Sequence, residues 1–417
     1  MRKIISFSSI VLLAGCAFAS CKKDSTVPDV TKTIVLPSNG SSIVNANNVF
    51  GFNFLHSTLQ FDNSNGNKLV SPLSIYMALS MVYNGAANAT RDSIAKTLQL
   101  SGIDINDLNK VCNALITQLP SEDNKVKFSI ANSIWYNKNS FQPLTSFLNT
   151  QQQFYNAETN ALNFADPSSA NTINNWVAEK TNQKIKSVID ATSPGDLMYL
   201  INAIYFNGAW KYAFKTSDTH ADNFYLADGS SKSVSFMQQH LSVNYFSNDS
   251  FSLIELPYGG GNSYSMYIML PKNNQQSISR FASTIDENSF TDGINKMDTV
   301  NINIYLPKWE YSYNIADMRP ELAALGMGIS FGDKADLSNM YNPAQVNPYI
   351  TKAIHKTYIK VNEEGTEAAA VTSIAVGVTS VVPPPVLKID HPFLYTIVEK
   401  QTGTILFTGI VNDPSLN

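Results

Sequence analysis

Cysteine, histidine and charge are all scarce in this sequence, and each shortage closes off a class of function. Cysteine occurs three times in 417 residues, as Cys16, Cys21 and Cys112. Two of these lie in the N-terminal leader, so the body has one thiol and cannot form an internal disulfide. Cys112 falls on the apolar stripe Ile105, Leu108, Val111, Leu115, Leu119 and reads as a small buried side chain. The five histidines, His56, His220, His240, His355 and His391, never take metal-ligand spacing such as HExxH, so no metal is expected. There is no GxSxG elbow and no P-loop. The Gly-rich "YGGGNS" at Tyr258–Ser263 lacks a GxGxxG pattern and reads as a turn between two strands. Nothing marks a Ser, a His and an Asp as a set, so the chain is not expected to be an enzyme, and no cofactor is implied. Net charge is only −4 and no basic block occurs, which argues against nucleic acid as a partner.

What the sequence does have begins with a leader. Arg2 and Lys3 precede the mostly apolar stretch Ile4–Leu13. This is shorter than the ~20 residues that span a bilayer, and it reads as a secretory signal over residues 1–20. "FASC" ends at Cys21 and is followed at once by the polar "KKDS", whereas "LAGC" ends at Cys16 and fits a lipobox more closely. Cys21 is the expected lipid acceptor, with Cys16 as the alternative. Two or more acyl chains would anchor the chain stably to a membrane. Residues 21–45, rich in Ser, Thr, Pro, Asn and Gly, read as a flexible linker holding the body about 25–30 Å from the bilayer. A single globular domain is expected over residues 46–417. Together these readings place the protein outside the cytoplasm, lipid-anchored in a bacterial cell envelope and facing the extracellular space.

The body starts helical. Val49, Phe52, Leu55 and Leu59 follow 3-3-4 spacing, and "LSIYMALSMVYNGA" within Pro72–Leu98 is apolar nearly all round, as a deeply buried helix would be. Further helices are expected near Leu144–Tyr155 and Ala170–Lys184. Strand patterns follow: Leu197–Trp210, Ser265–Pro271 and the alternating Val300, Ile302, Ile304, Leu306. "FLYTIVEK" and "TILFTGIV", joined through Gln401–Gly403, read as a C-terminal hairpin. Helices first and strands later predict an α+β protein with large, mainly antiparallel sheets.

One stretch resists an ordinary assignment. "VNEEGTEAAAVTSIAVGVTSVVPPP", Val361–Pro385, carries no charge and no histidine from Ala368 onward. As a strand it would place Thr366, Ala368, Ala370, Thr372, Ile374, Val376 and Val378 on one face, all small or β-branched and fit for burial. Its flanks oppose permanent pairing. Gly365 permits a sharp backbone change, and Pro383–Pro385 cannot donate ladder hydrogen bonds. By composition the segment could enter a sheet or remain a surface loop.

"VNEEGTEAAAVTS" closely resembles the hinge of the serpins, protease inhibitors that work by loop insertion. The resemblance extends over roughly Asn47–Pro414. "LVSPLSIYMALSMVYNGA" resembles the shutter helix and "LINAIYFNGAWKYAF" a central strand with its breach tryptophan. "KAIHKTYIKVNEEGTEAA" resembles the strand that leads into the reactive loop, and "HPFLYTIVEKQTGTILFTGIVNDP" the C-terminal signature. The resemblance implies about eight or nine helices, three sheets with a large, mainly antiparallel central sheet A, and an exposed reactive-centre loop over about residues 363–385. It also implies a suicide-substrate mechanism: a serine protease cuts the loop, becomes an acyl-enzyme, and is trapped as the loop inserts into the sheet. The hinge would comprise Glu363, Glu364, Gly365, Thr366, Glu367, Ala368, Ala369, Ala370, Val371 and Thr372. Its small residues would admit the strand into a packed sheet. Ser71, Ser74, Asn202 and His355 match the polar shutter cluster. Trp210 matches the breach, where Lys308 would pair with Glu363. Counting from the hinge puts the reactive bond at Thr379–Ser380, and counting back from "HPF" puts it at Val381–Val382. No Lys or Arg lies between Lys360 and Lys388, which disfavours a trypsin-like target and favours an elastase-like or broad-specificity one. The region of Ile103–Leu119 matching the family's heparin-binding helix has Lys110 as its only basic residue, so no heparin is expected. A monomer is expected, and the competing reading is a non-inhibitory serpin that serves as a surface binding or structural protein.

Overall fold

The structure is a computed structural model, and it describes residues 31–341, 348–366 and 385–416. The leader with Cys16 and Cys21 lies outside these residues. So do Glu367, Ala368, Ala369, Ala370, Val371, Thr372, Thr379, Ser380, Val381 and Val382.

The helical layer comes first. Helix α1 spans Gly40–Phe61, followed by strand β1 (Lys68–Val70), then α2 (Pro72–Gly85), α3 (Asn88–Thr97) and α4 (Ile105–Gln118). The long apolar segment from Pro72 is thus two helices, broken at Ala86–Ala87, where the chain is extended. Ser71 caps α2 by accepting from the Ser74 N–H, and Pro72 occupies the first turn, where its missing N–H costs nothing. The linker expected to reach residue 45 ends earlier. Helix α1 already begins at Gly40, and its buried Ile43, Val44 and Ala46 hold it to the core. Asn39 at φ 63° marks the entry to that helix.

Strand β2 (Val126–Asn137), α5 (Thr145–Tyr155), β3 (Glu158–Leu162), α6 (Ser168–Lys180) and β4 (Met198–Ala209) come next. They are followed by β5 (Thr219–Tyr225), β6 (Ser231–Ser247), β7 (Phe251–Tyr258) and β8 (Tyr264–Pro271). Then come α7 (Ile278–Ala282), α8 (Glu287–Asn295), β9 (Asp298–Pro307), β10 (Trp309–Ile315) and α9 (Arg319–Leu322). The chain closes with β11 (His355–Asn362), the two-residue β12 (Gly365–Thr366), β13 (Val386–Lys388) and the hairpin β14 (Phe393–Glu399) and β15 (Thr404–Val411).

Two sheets result. The six-stranded one runs β10-β11-β12-β4-β2-β3, antiparallel except for β2–β3. The nine-stranded one runs β1-β15-β14-β8-β7-β6-β9-β13, with β5 on β6. The two smaller sheets implied by the resemblance run together because β6 is long enough to serve both. Phe236–Tyr245 pair with β9, and Tyr245–Ser247 pair with β7. Helix α2 packs between the sheets, against β4 on one side and β15 on the other. Its position explains why its sequence is apolar nearly all round. The fold is α+β.

Candidate functional site

Strand β12 is the point from which the site can be built. Gly365 and Thr366 pair with Ala209 and Gly208 of β4 on one side, and with Asn362 and Val361 of β11 on the other. Gly365 and Thr366, both in the segment expected to be the hinge, are therefore already a strand between β4 and β11. Gly365 is held at φ 146°, and a Cβ there would lie 2.1 Å from the Gly208 carbonyl oxygen. Only glycine has both the freedom and the smallness this position needs.

Several side chains lock that end of the sheet. The Trp210 indole N–H donates to the Asn362 carbonyl at 2.9 Å. Its ring stacks on Tyr258, with centroids 4.4 Å apart and planes 8° from parallel. The hydroxyls of Tyr258 and Thr366 are hydrogen-bonded at 2.6 Å, both buried, so Thr366 faces the core. The Asn362 side-chain oxygen accepts from the Glu364 and Gly365 N–H groups, at 3.1 and 3.2 Å, and so shapes the turn into β12. Lys308 Nζ lies 2.9 Å from Glu363 Oε2, and the Thr219 hydroxyl donates to Glu363 Oε1 at 2.9 Å. Burial works against charge on Glu363, but the hydrogen bonds from Lys308 and Thr219 outweigh it and hold the carboxyl below the ordinary range.

Beyond Thr366 the two flanking strands part. Strand β4 is paired with β2 from Gly208 to Met198, and β11 is paired with β10 from His355 to Val361. Between β4 and β11 themselves, no pairing joins the described residues below β12. A cavity of about 330 Å³ opens there, walled by Ser71, Ser74, Ile75, Leu79, Asn202 and His355. Its polar groups divide between the two sides. His355 Nε2, on the β11 side, accepts from the Ser71 backbone N–H at 3.0 Å. Asn202, on the β4 side, accepts from the Ser74 hydroxyl at 2.5 Å and donates to Asn132 Oδ1 at 2.8 Å. The Ser71 hydroxyl donates to the Leu406 carbonyl at 2.7 Å and so ties the helix start to β15. Burial pushes the His355 pKa down to about 3, so the ring is neutral and fit to accept.

The expected residues thus fall into two groups. Glu363, Glu364, Gly365, Thr366, Trp210 and Lys308 meet at the head of the slot. Ser71, Ser74, Asn202 and His355 meet halfway down it. Four contributors escaped sequence reading: Tyr258, Asn362, Thr219 and Asn132. Tyr258 opens the segment read as a plain turn, and Asn362 stands inside the quoted hinge motif. Thr219 and Asn132 carry no local signal, because their role depends on strands brought in from elsewhere. Among the described residues no cluster suited to a metal occurs, and no helix is long and apolar enough to cross a membrane.

Comparison with known proteins agrees with this architecture. The family model described as "Serpin (serine protease inhibitor)" matches residues 45–414. A serpin-like protein of Methanosarcina mazei is 33% identical, with 97% of each chain covered. The leukocyte elastase inhibitor of Bos taurus is 33% identical over 86% of this chain and 96% of its own. Among solved structures, the thermophilic serpin tengpin in its native state superposes with a TM-score of 0.81 at 33% identity, covering 92% of this chain and 96% of its own. With a family model spanning most of the sequence and relatives matched from end to end, this chain belongs to the serpin family.

Proposed function

We propose that this serpin inhibits serine proteases as a suicide substrate. The target would cleave its loop at Thr379–Ser380, or at Val381–Val382 on the alternative count. The freed loop would then enter the slot between β4 and β11 while the protease is still bound as an acyl-enzyme. The observation that carries this reading is β12, a strand begun at the head of a slot that is unpaired below it among the described residues.

The register of β12 says where further residues would go. Thr366 lies opposite Gly208 and Val361. Continued in that register, Ala368 falls opposite Phe206 and Ile359, and Ala370 opposite Ile204 and Thr357. Thr372 falls opposite Asn202 and His355, level with the polar cluster. Alternate residues share a face, so Ala368, Ala370 and Thr372 would point inward as Thr366 does. The two alanines would meet the packed core without clash, and the Thr372 hydroxyl would arrive among hydrogen-bonding groups. About 10–14 new ladder hydrogen bonds, at roughly 1 kcal/mol net each, would match or exceed the whole stability of an ordinary domain. The intact form would therefore be a kinetic trap.

The absence of Lys and Arg between Lys360 and Lys388 points to an elastase-like or broad-specificity target rather than a trypsin-like one. The name of the bovine relative, leukocyte elastase inhibitor, points the same way. We also propose export and lipid anchoring through Cys21, or Cys16, at the outer face of a bacterial cell envelope. Mass spectrometry of the mature N-terminus would identify the modified cysteine, and an unmodified N-terminus would overturn the anchor. For inhibition, the protein is mixed with an elastase-like protease and, separately, with trypsin. The expected result is an SDS-resistant adduct with the former only, and a released peptide beginning at residue 380 or 382. No adduct with any serine protease, together with equal melting of intact and clipped protein, would leave the non-inhibitory binding reading in its place.

A further inference from the structure

The segment of residues 31–36 is tied to the body from several sides. Its Lys32 N–H donates to the Glu122 carbonyl at 2.8 Å, and Thr31 bridges to Asp123. Gln401 holds the segment from the other side. Its side-chain N–H donates to the Lys32 carbonyl at 2.8 Å, and its side-chain oxygen accepts from the Ile34 N–H at 3.1 Å. Gln118 makes a similar double contact with Val35, at 2.8 and 2.9 Å. Ile34 is buried, and Gly261 has no side chain because Thr31 occupies the space that a Cβ would need.

Gln401 is itself positioned by a carboxyl pair. Its side-chain N–H also donates to Glu122 Oε1 at 2.7 Å, and its backbone N–H donates to Glu399. Glu122 and Glu399 are both wholly buried and face one another. Thr402 completes the shell of Glu399 through its N–H, at 3.0 Å, and its hydroxyl. The other Glu122 oxygen, Oε2, finds no hydrogen-bond partner among the described residues. The ionisable groups around the pair are Tyr264 of β8 and Asp123 at the head of β2. Lys400 is engaged with Glu255, and Lys32 is exposed on the segment. Two buried carboxyl groups in contact, with no cation among the described residues to balance them, hold a proton between them. The same conclusion follows from the direction of titration. Burial, then the charge of Glu399, pushes the Glu122 carboxyl well above its ordinary range.

We propose that residues 31–36 form a proton-operated clasp, docked while the Glu122–Glu399 pair keeps its shared proton and released when that proton is lost. Loss leaves two facing carboxylates in a dry site. The pair separates, and Gln401, which bonds both Glu122 and the segment, moves with it. The sign of the effect is set by linkage. The docked form holds a proton that the solvated carboxyl gives up near pH ~4.5, so docking weakens as pH rises from there and levels off once the buried pair has ionised. The proposal does not depend on the inhibitory reading.

The experiment uses the full chain and a trypsin cut at Lys32–Thr33. The rate is normalised at each pH to that of a synthetic peptide of residues 29–36. In the wild type the normalised rate should climb by up to about tenfold per pH unit between pH ~5.5 and ~8 and then level off. E122Q keeps a neutral donor at the site and should be cut slowly at every pH. Q401A should be cut fast at every pH. A wild-type rate independent of pH, an E122Q rate that climbs in parallel with the wild type, or slow cutting of Q401A would each overturn the clasp. Should E122Q fail to fold, infrared spectroscopy of the wild type decides. The band of a protonated buried carboxyl should bleach over the same pH window, and its absence at every pH would overturn the proposal.

Discussion

Strands β14 and β11 are similar in length and both read cleanly as strands, but they hold the molecule together in different ways. Strand β14 is bonded to β15 on one edge and β8 on the other, and all seven of its residues are buried. Strand β11 is paired with β10 from His355 to Val361, but on its inner edge, among the described residues, only Val361 and Asn362 have a partner strand. Below them the cavity opens. Buried backbone groups in native proteins nearly always find partners, so an edge left open beside a hydrophobic helix is unused capacity. In the nine-stranded sheet β14 has a partner on both edges, whereas among the described residues the six-stranded sheet leaves the inner edge of β11 without a partner strand below β12. Gly365 and Thr366 stand at the mouth of this slot, paired to both neighbouring strands.

The largest test of this contrast is to fill the slot. Cleavage within residues 379–382 should raise the melting temperature by ~20 °C or more, given an insertion energy of roughly 10 kcal/mol. Equal melting of intact and clipped protein would erase the difference between the sheets. Nearly as large is the effect of a charge placed where the strand must pass. Thr372→Arg would carry an unpaired guanidinium to the level of Asn202 and His355, at a cost of ~3–5 kcal/mol. Covalent adduct should fall and cleaved, unbound product should rise on denaturing gels, and an unchanged adduct yield would refute the extrapolated register.

A control in the other sheet sharpens the comparison. Leu394→Ala in β14 should cost ~2–5 kcal/mol by denaturant unfolding, and by the same amount in intact and clipped protein, because that sheet does not change. A smaller effect comes from His355. Its folded pKa lies below the ordinary value of 6.5, so the neutral ring contributes stability that is complete above about pH 6.5. That contribution is lost as pH falls toward about 3, at up to ~1.4 kcal/mol per pH unit. Unfolding at pH 7, 6 and 5 should show the slope, and His355→Gln should flatten it. The smallest is Tyr258→Phe, which removes the hydroxyl that meets Thr366 but keeps the stack on Trp210. It should cost ~1 kcal/mol and speed hydrogen exchange at the Thr366 amide before that of β14.

Much of this was legible in the residues. The alternation of Val300–Leu306 and the mostly apolar runs of β14 and β15 are local patterns, and the structure has strands at those places. The break at Ala86–Ala87 was not legible, because "NGAANAT" contains no proline and its residues tolerate a helix. The early start of α1 was hidden by the polar composition before Ile43. Gly365 was legible as a bend, but the 2.1 Å approach of the Gly208 carbonyl that makes it irreplaceable depends on β4.

By itself the sequence determined the family, the α+β class and the uncharged stretch that follows Glu367, because these reside in local pattern and in motifs read in order. Tertiary structure alone decided that β12 is seated, that no pairing joins β4 and β11 below it among the described residues, and that β6 joins two sheets into one. It alone placed Glu122 against Glu399 across 277 positions of sequence. The physical reason is the same throughout. A hydrogen bond or a shared proton is a property of distance in space, and neighbours in these sheets are brought together by packing rather than by order along the chain.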